Sequence, residues 1–263
     1  MDLQLKGKLA LVSGSTAGIG YAIARTLAQE GARVIVNGRT QAAVDEAVER
    51  IRSETGGTAD GYAGDLSRAD AAEEVVKRHA GIDILVNNLG IFEPKAFEDI
   101  PDADWLRFFD VNVLSGVRLA RLVLPAMKQA NWGRIIFISS ESAVQIPTEM
   151  IHYGMTKTAQ LAVSRGLAES VAGTGITVNS VLPGPTKSRG VGDFVQDMAK
   201  ASDKSFEQVE AEFFDKVRPT SLIKRFATPQ EVASLVAYVA SPLASATTGA
   251  ALRVDGGVVK SVV

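Results

Sequence analysis

A glycine-rich turn near the N-terminus constrains the fold of this chain more than any other segment. The apolar run 9–13 leads into Gly14-Ser15-Thr16-Ala17-Gly18-Ile19-Gly20, a helical run continues to residue 30, and a second apolar run covers 34–37. In a strand–turn–helix unit, three glycines permit a tight bend, the approach of backbone N–H groups to a phosphate, and close packing of helix on strand. The helix N-terminus adds free N–H groups and a positive dipole end. The segment predicts a dinucleotide pyrophosphate site, and the alternative is a tight turn without a ligand.

Composition narrows the class of protein. The chain has 263 residues, is 46% hydrophobic and carries a net charge of −2, which fits one α/β domain over 1–263 and gives no attraction for nucleic acid. It has no cysteine and two histidines, so neither a disulfide nor a metal site is expected. A short polar N-terminus and the lack of a run of about 18 apolar residues predict no signal peptide and no membrane span. We therefore expect a cytoplasmic protein.

Short apolar runs alternate with longer amphipathic ones along the chain. This alternation is typical of a parallel sheet covered by helices on both faces, so it predicts a doubly wound, seven-stranded α/β fold. The predicted strands are 9–13, 34–37, 60–63, 82–87, 134–139, 177–182 and 251–254. The predicted helices are near 18–30, 41–54, 69–79, 104–130, 150–172 and 229–240.

The stretch 186–224 is charged and aromatic and contains no predicted strand. Two apolar sets fall at helical spacing in it. We interpret them as two short helices that form a lid over an apolar pocket, although they could simply dock this stretch on the body. The two sets are Phe194, Val195 and Met198, and Phe213, Phe214 and Val217.

The second strand ends in Gly38-Arg39. Position 38 lies about 20 residues beyond the glycine turn, where NAD-binding folds place an acid on the ribose 2′-hydroxyl. Here that position has no side chain, and the following guanidinium could pair with a 2′-phosphate. The pattern favours NADP(H) over NAD(H), and the alternative is that Arg39 is a solvated loop residue.

Polar residues follow several predicted strands at the carboxyl edge of the sheet, where ligands bind in such folds. Asp65-Leu66 could hold adenine or start the next helix, and Asn87-Asn88-Leu89-Gly90 could line a cofactor cleft or form a turn. Asn112 interrupts an apolar helix as a site residue or as a satisfied core amide. Ser139-Ser140 ends the fifth strand.

Tyr153 and Lys157 stand four residues apart on a predicted helix, so their side chains share a face. A phenol is a poor base at neutral pH, and an ammonium group beside it favours the phenolate and lowers its pKa. With a serine donor nearby, this pair forms a general acid/base for a carbonyl. The alternative is a surface pair. His152 cannot share that helix face and is expected to be structural or pocket-lining.

These motifs, taken in order from about residue 5 to 257, resemble the short-chain dehydrogenase/reductase family, in particular members similar to 3-oxoacyl-acyl-carrier-protein reductases. The motifs that carry the resemblance are Gly14-x-x-x-Gly18-x-Gly20, Asn87-Asn88-Leu89-Gly90, Asn112, Ser140, Tyr153-x-x-x-Lys157, Pro183-Gly184 and Asp255-Gly256-Gly257. The resemblance implies a Rossmann fold, a nicotinamide cofactor, a ketone or secondary alcohol as the small-molecule substrate, and a homotetramer. The different-class alternative is a non-catalytic NAD(P)-binding scaffold or sensor.

The resemblance also implies a role for each matching residue. Tyr153 corresponds to the general acid/base and Ser140 to the donor that holds the substrate oxygen. Lys157 would lower the pKa of the tyrosine and hold the nicotinamide ribose, and Asn112 would place a water that joins Lys157 to a proton relay. The implied cofactor contacts are Gly14, Ser15, Thr16, Gly18, Ile19, Gly20, Arg39, Asp65, Leu66, Asn88, Gly90, Tyr153, Lys157, Pro183, Gly184 and Thr186.

Two departures from the family pattern lie close to the expected site. Leu89 replaces a small residue of the cleft, which could shift or narrow it. Glu141 directly follows Ser140, and its charge could face solvent or recognise a polar substrate. Neither the substrate nor the direction of the reaction can be read from the residues.

Overall fold

The strands form one parallel sheet, as seen in a computed structural model that describes residues 1–188 and 205–262. Their order is β3-β2-β1-β4-β5-β6-β7, so the chain reverses its direction of winding between β1 and β4. The strands are β1 Leu9–Val12, β2 Arg33–Gly38, β3 Thr58–Ala63, β4 Ile84–Asn87, β5 Gly133–Ile138, β6 Ile176–Pro183 and β7 Ala251–Val254. The predicted doubly wound Rossmann fold is confirmed, and ligands bind in such folds where the winding reverses.

Helices cover both faces of the sheet. One core contains α1, α2 and α8 against one face, and a second core contains α3, α5 and α6 against the other. The helices are α1 Gly18–Gln29, α2 Gln41–Thr55, α3 Ala69–Arg78, α4 Asp102–Phe109, α5 Ser115–Ala130, α6 Ile151–Ser170, α7 Phe206–Lys216 and α8 Pro229–Ala240. The central strands β1, β4, β5 and β6 are buried over nearly their whole length because helices cover both faces of the sheet.

The predicted helix near 104–130 is helical throughout, but it is not a regular α-helix over its whole length. The stretch 104–130 consists of α4, a π-helical turn over Asp110–Leu114, and α5. Apolar spacing does not reveal one wider turn inside a long helix, because the turn is too short to set up a period of its own. The π-turn carries Asn112, and such turns are frequent at functional sites.

The predicted lid is only partly described. The set at Phe194, Val195 and Met198 lies outside the described residues. In the second set, Phe213 and Phe214 belong to α7 and Val217 directly follows it. Phe214 is buried in a small core with Val209 and Phe226. Within the described ranges, no helix is long and apolar enough to cross a membrane.

Candidate active site

A cavity of about 800 Å³ opens at the carboxyl ends of β4, β5 and β6, where the predicted site residues were expected. The start of α6 and the segment after α7 complete its wall. Nine of the predicted residues line it: Ile19, Asn88, Gly90, Ser140, Tyr153, Lys157, Pro183, Gly184 and Thr186.

Ser140, Tyr153 and Lys157 meet in this cavity because β5 ends beside the first turn of α6. The Lys157 ammonium lies 5.6 Å from the centre of the Tyr153 ring. Its hydrogen bonds go to the Ile138 carbonyl at 2.9 Å and to Gln160 Oε1 at 3.4 Å. The three side chains thus share one wall of a single cavity, as the spacing predicted.

Burial shifts the pKa values of Tyr153 and Lys157 in opposite directions. Loss of hydration raises the pKa of Tyr153 to about 12, with Ser140 and Arg218 lowering it and Glu141 raising it further. Burial lowers the pKa of Lys157 to about 8. Burial therefore outweighs every effect that lowers the pKa of Tyr153, and Lys157 is not among the groups that set this pKa.

The glycine turn forms an open cradle in front of α1. A Cβ on Gly20 would lie 2.4 Å from the Gly14 carbonyl oxygen, so only glycine fits there. The Asn88 amide donates to the carbonyls of Ser13 and Gly14 at 3.0 Å and fixes the turn. No side chain caps α1, so its first N–H groups remain available to an anion.

The structure limits how Ser15 and Leu66, both predicted to contact a cofactor, could do so. The Ser15 hydroxyl donates to the Val12 carbonyl and accepts from the Asn37 N–H, and its own N–H donates to the Asn37 carbonyl. Ser15 is fully buried, so it has no donor left for a ligand. The Leu66 side chain is a core residue, so only its backbone could reach adenine.

Asn37 organises the same turn and was not predicted to do so. Its side chain accepts from the Gly14 N–H at 3.0 Å and donates to the carbonyls of Tyr62 and Gly64. Its position at the carboxyl end of β2 was the available signal, since polar groups at that edge tend to serve the site.

Arg39 lies exposed just beyond β2. Among the residues that the structure describes, its guanidinium has no hydrogen-bond or ion-pair partner. A Cβ on the neighbouring Gly38 would lie 2.5 Å from the Thr16 methyl, so an acidic side chain does not fit there without a shift of Thr16. This end of β2 therefore presents a positive charge and no carboxylate.

Asp65 and Asn112 lie outside the cavity wall. Asp65 Oδ1 accepts from the N–H and the hydroxyl of Ser67, so this carboxylate shapes the turn before α3, the second of its two expected roles. Asn112 is 1% exposed and lies behind Lys157. Its amide accepts from the Ile91 N–H at 2.8 Å and donates to the Ile91 carbonyl and to Thr156 Oγ1.

Pro183, Gly184 and Thr186 form the wall opposite α6. A Cβ on Gly184 would lie 2.5 Å from the Asp255 carbonyl oxygen, so this bend packs directly on the turn after β7 without room for a side chain. The Thr186 hydroxyl donates to the Gly184 carbonyl at 2.9 Å and holds the bend.

Glu141 does not face solvent, which was one of its two expected fates. Its carboxylate is buried and accepts from Arg218 Nε at 3.0 Å, and Arg218 also donates to Glu149 at 3.3 Å. Nothing in the sequence pairs residues 77 positions apart, so Arg218 was missed. His152 is structural, because it is fully buried and packs 4.1 Å from the ring of Phe108.

Comparisons with known proteins agree with this geometry. A family model described as enoyl-(acyl carrier protein) reductase matches residues 14–259. The uncharacterized oxidoreductase YvaG of Bacillus subtilis is 47% identical over 263 residues and covers 100% of both chains. Dehydrogenase/reductase SDR family member 4 of Caenorhabditis elegans is 35% identical, over 97% of this chain and 96% of its own. A crystal structure of L-sorbose reductase from Gluconobacter frateurii with NADPH and L-sorbose has a TM-score of 0.94 at 31% identity, over 100% of both chains.

Proposed function

The chain belongs to the short-chain dehydrogenase/reductase family and is an NAD(P)-dependent oxidoreductase, and on that premise we propose that it interconverts a ketone and a secondary alcohol with NADP(H) and with Tyr153 as general acid/base. The observation that carries the proposal is the meeting of Ser140, Tyr153 and Lys157 in one cavity. A non-catalytic scaffold would need none of these three groups together.

The residues present fit a nicotinamide dinucleotide. The uncapped start of α1 and the closely packed glycines supply N–H groups for a pyrophosphate. Lys157 is available to hold a ribose, since no carboxylate contributes to its pKa. The unpaired Arg39 suits a 2′-phosphate, and the relative that binds NADPH supports the same preference. When bound, the nicotinamide supplies or accepts the hydride.

The protein's own groups handle the substrate oxygen. Because its pKa is raised to about 12, Tyr153 is protonated at neutral pH and can donate its hydroxyl proton to a carbonyl oxygen that becomes an alkoxide. The Ser140 hydroxyl lies beside the phenol and donates a second hydrogen bond to the same oxygen. In the reverse direction Tyr153 must ionise, and the positive charge of Lys157 favours that form.

Replacement of Tyr153 by phenylalanine tests the acid/base assignment. Tyr153→Phe keeps the ring and removes the proton, so we expect NADPH oxidation with a carbonyl panel that includes ketoses to fall by roughly 10²–10⁴-fold. NADPH affinity, measured by fluorescence titration, should stay nearly unchanged. Tyr238→Phe, on the partly exposed Tyr238 of α8, is the matched control and should keep full activity. Retention of most activity by Tyr153→Phe would contradict the proposal.

Replacement of Arg39 tests the cofactor preference. We expect NADPH to bind roughly tenfold or more tightly than NADH to the unmodified protein, and Arg39→Ala to remove that difference by weakening NADPH alone. Arg121→Ala, at another exposed arginine, is the control. Gly38→Asp is a poor test, because its side chain would collide with Thr16. Equal affinities in the unmodified protein would show that Arg39 is a solvated residue.

A further inference from the structure

Gln160 occupies the space between the catalytic lysine and the π-turn. It stands on α6 three residues after Lys157 and is 1% exposed. Its Nε2 donates to the Asn112 main-chain carbonyl at 2.5 Å, and its Oε1 accepts from the Lys157 ammonium at 3.4 Å. One carboxamide thus connects the two groups that the family resemblance joins through a water.

The orientation of this amide is fixed by its two partners. A main-chain carbonyl can only accept a hydrogen bond, and an ammonium can only donate. The Gln160 nitrogen must therefore face Asn112, and its oxygen must face Lys157. In the opposite orientation, the Gln160 oxygen would face the Asn112 carbonyl oxygen and the Gln160 nitrogen would face the Lys157 ammonium. Both hydrogen bonds would then be lost, which is costly in a buried site.

We propose that Gln160 is a positioning residue for the reaction, whose carboxamide ties Lys157 to the Asn112 carbonyl and so holds the lysine in place and in its charged form. The inference rests on the proposed function, in which Lys157 acts on the tyrosine and the cofactor. The Gln160 side chain thus joins Lys157 to Asn112, where the resemblance implied that Asn112 places a water next to Lys157.

The surroundings of Lys157 explain why this contact matters. The elements packed against the ammonium are β5 at Ile138, the segment after β4 at Gly90, and the π-turn at Asn112. In the described part of the chain they present carbonyl, amide and Cα groups to it, and Tyr153 on α6 is the titratable group that faces it. Gln160 Oε1 and the Ile138 carbonyl are therefore the acceptors within hydrogen-bond distance of the charge. A hydrogen bond to the charged form favours that form, whereas burial lowers the lysine pKa.

The π-turn is held rigidly enough to act as an anchor. The Asn112 side chain donates to Thr156 Oγ1 on α6 at 2.9 Å and makes two further bonds to the backbone of Ile91. With the bond from Gln160, Asn112 is attached to α6 at two points one turn apart. The carbonyl that orients Gln160 is thereby fixed relative to Lys157.

Two variants of Gln160 separate this role from a merely structural one. Gln160→Met keeps the length of the side chain and removes both hydrogen-bonding groups, so the lysine pKa should fall by about one unit, the size expected for losing one hydrogen bond to a charged group. Gln160→Glu places a carboxylate beside the ammonium, so that pKa should rise. A structural role would not shift the titration in opposite directions. Ser164→Ala, one turn further on the same buried face, is the control.

The titration is followed in the cofactor-free protein by NMR of lysine labelled with ¹³C at Cε, with the Lys157 signal assigned from Lys157→Met. In parallel, the alkaline limb of the pH–kcat profile should move to lower pH by about one unit in Gln160→Met and to higher pH in Gln160→Glu, because activity needs the charged lysine. If Gln160→Glu does not fold, Gln160→Met decides alone.

The outcomes distinguish a failure of the role given to Gln160 from a failure of the proposed function. An unchanged Lys157 titration in folded Gln160→Met overturns the role of Gln160, whatever the activity. A shifted titration with no turnover of any carbonyl by the unmodified protein supports the placement of Gln160 and contradicts the proposed function instead. Shifts in opposite directions in the two variants, with Ser164→Ala unchanged, support the proposal.

Discussion

Lys157 is a buried cation that faces oxygen atoms of amides and carbonyls. It is 4% exposed, and burial lowers its pKa from 10.5 to about 8. The charged form is therefore less stable in the folded protein than in the unfolded chain. Active-site groups held in such surroundings often reduce the stability of the fold that carries them.

Removal of this charge should stabilise the protein in one range of pH. Between about pH 8 and 10.5 the unfolded chain binds more protons at this position than the folded protein, so the free energy of unfolding rises with pH there. Below that range the full cost of the buried charge is present, on the order of 3 kcal/mol at about 1.4 kcal/mol per pKa unit. Lys157→Met should therefore be more stable than the unmodified protein at pH 7, and this gain should shrink by pH 10.

Urea denaturation at both pH values measures this difference. Lys128→Met, which removes an exposed lysine from the last turn of α5, is the matched control and should give no stabilisation that fades with pH. A Lys157→Met protein that is less stable than the unmodified one at pH 7 would mean that the contacts of the ammonium outweigh the loss of its hydration.

Single site residues could be predicted from the sequence only where the residues that interact lie close together along the chain. The spacing of Tyr153 and Lys157 on one helix predicted their shared face, because α-helix geometry relates neighbours in sequence. Ser15 lies in a motif, but its hydroxyl also accepts from the Asn37 N–H, 22 positions away, which only the fold brings to it. Gln160 looks in sequence like any polar helix residue, since its partner Asn112 is 48 positions away.

At the scale of the elements, the Glu141–Arg218 ion pair connects the end of β5 to the segment after α7. Burial raises the pKa of Glu141, and the Arg218 guanidinium opposes this. Arg218 also reaches Glu149, just before α6, so one side chain joins three segments around the cavity. Sequence patterns predict where such elements lie, but not which loop side chains will hold them together.

Removal of Arg218 should destabilise this arrangement strongly. Arg218→Ala leaves Glu141 buried and unpaired, which costs roughly 3–5 kcal/mol in comparable buried pairs. The double variant Arg218→Met/Glu141→Gln removes both charges and should recover much of that loss. Thermal and urea unfolding measure both effects, and the KM for substrate should rise in Arg218→Ala because the pair lines the cavity.

An exposed ion pair provides the control for this experiment. Arg225 pairs with Glu231 at 2.7 Å, with about half of each side chain exposed, so Arg225→Ala should cost only about 0–1 kcal/mol. Equal losses from Arg218→Ala and Arg225→Ala would mean that the buried pair contributes no more than a surface one.

At the scale of the whole molecule, the sheet was predictable because alternating strand and helix patterns admit few arrangements. Parallel strands joined by right-handed crossovers, with a glycine turn after the first, lead to the doubly wound order. The π-turn at Asp110–Leu114 was not predicted, because one wider turn within a long helix is too short to produce an apolar period of its own. The walls of the cavity depend on contacts between distant segments, and these leave no periodic signal.

The apolar surface of the long helices bears on how copies of the chain assemble. Leu119 and Val123 on α5 are buried in the protein's own core, so they add nothing to its apolar surface. Leu122, Leu161, Val163 and Leu167 remain partly exposed along α5 and α6. Leu106 on the adjacent α4 is 71% exposed. Several apolar side chains of α4, α5 and α6 are therefore at least partly exposed on this face of the sheet.

We expect this face to join copies of the chain into a homo-oligomer, most simply a tetramer, because burying it removes apolar surface from water. Light scattering after size exclusion should then give about four times the monomer mass of 27.8 kDa at micromolar concentration. Leu161→Asp should shift the mass towards smaller species while the protein stays folded. Ala42→Asp, at an exposed position of α2 on the opposite face of the sheet, should leave the mass unchanged. A monomer mass for the unmodified protein would rule out this assembly.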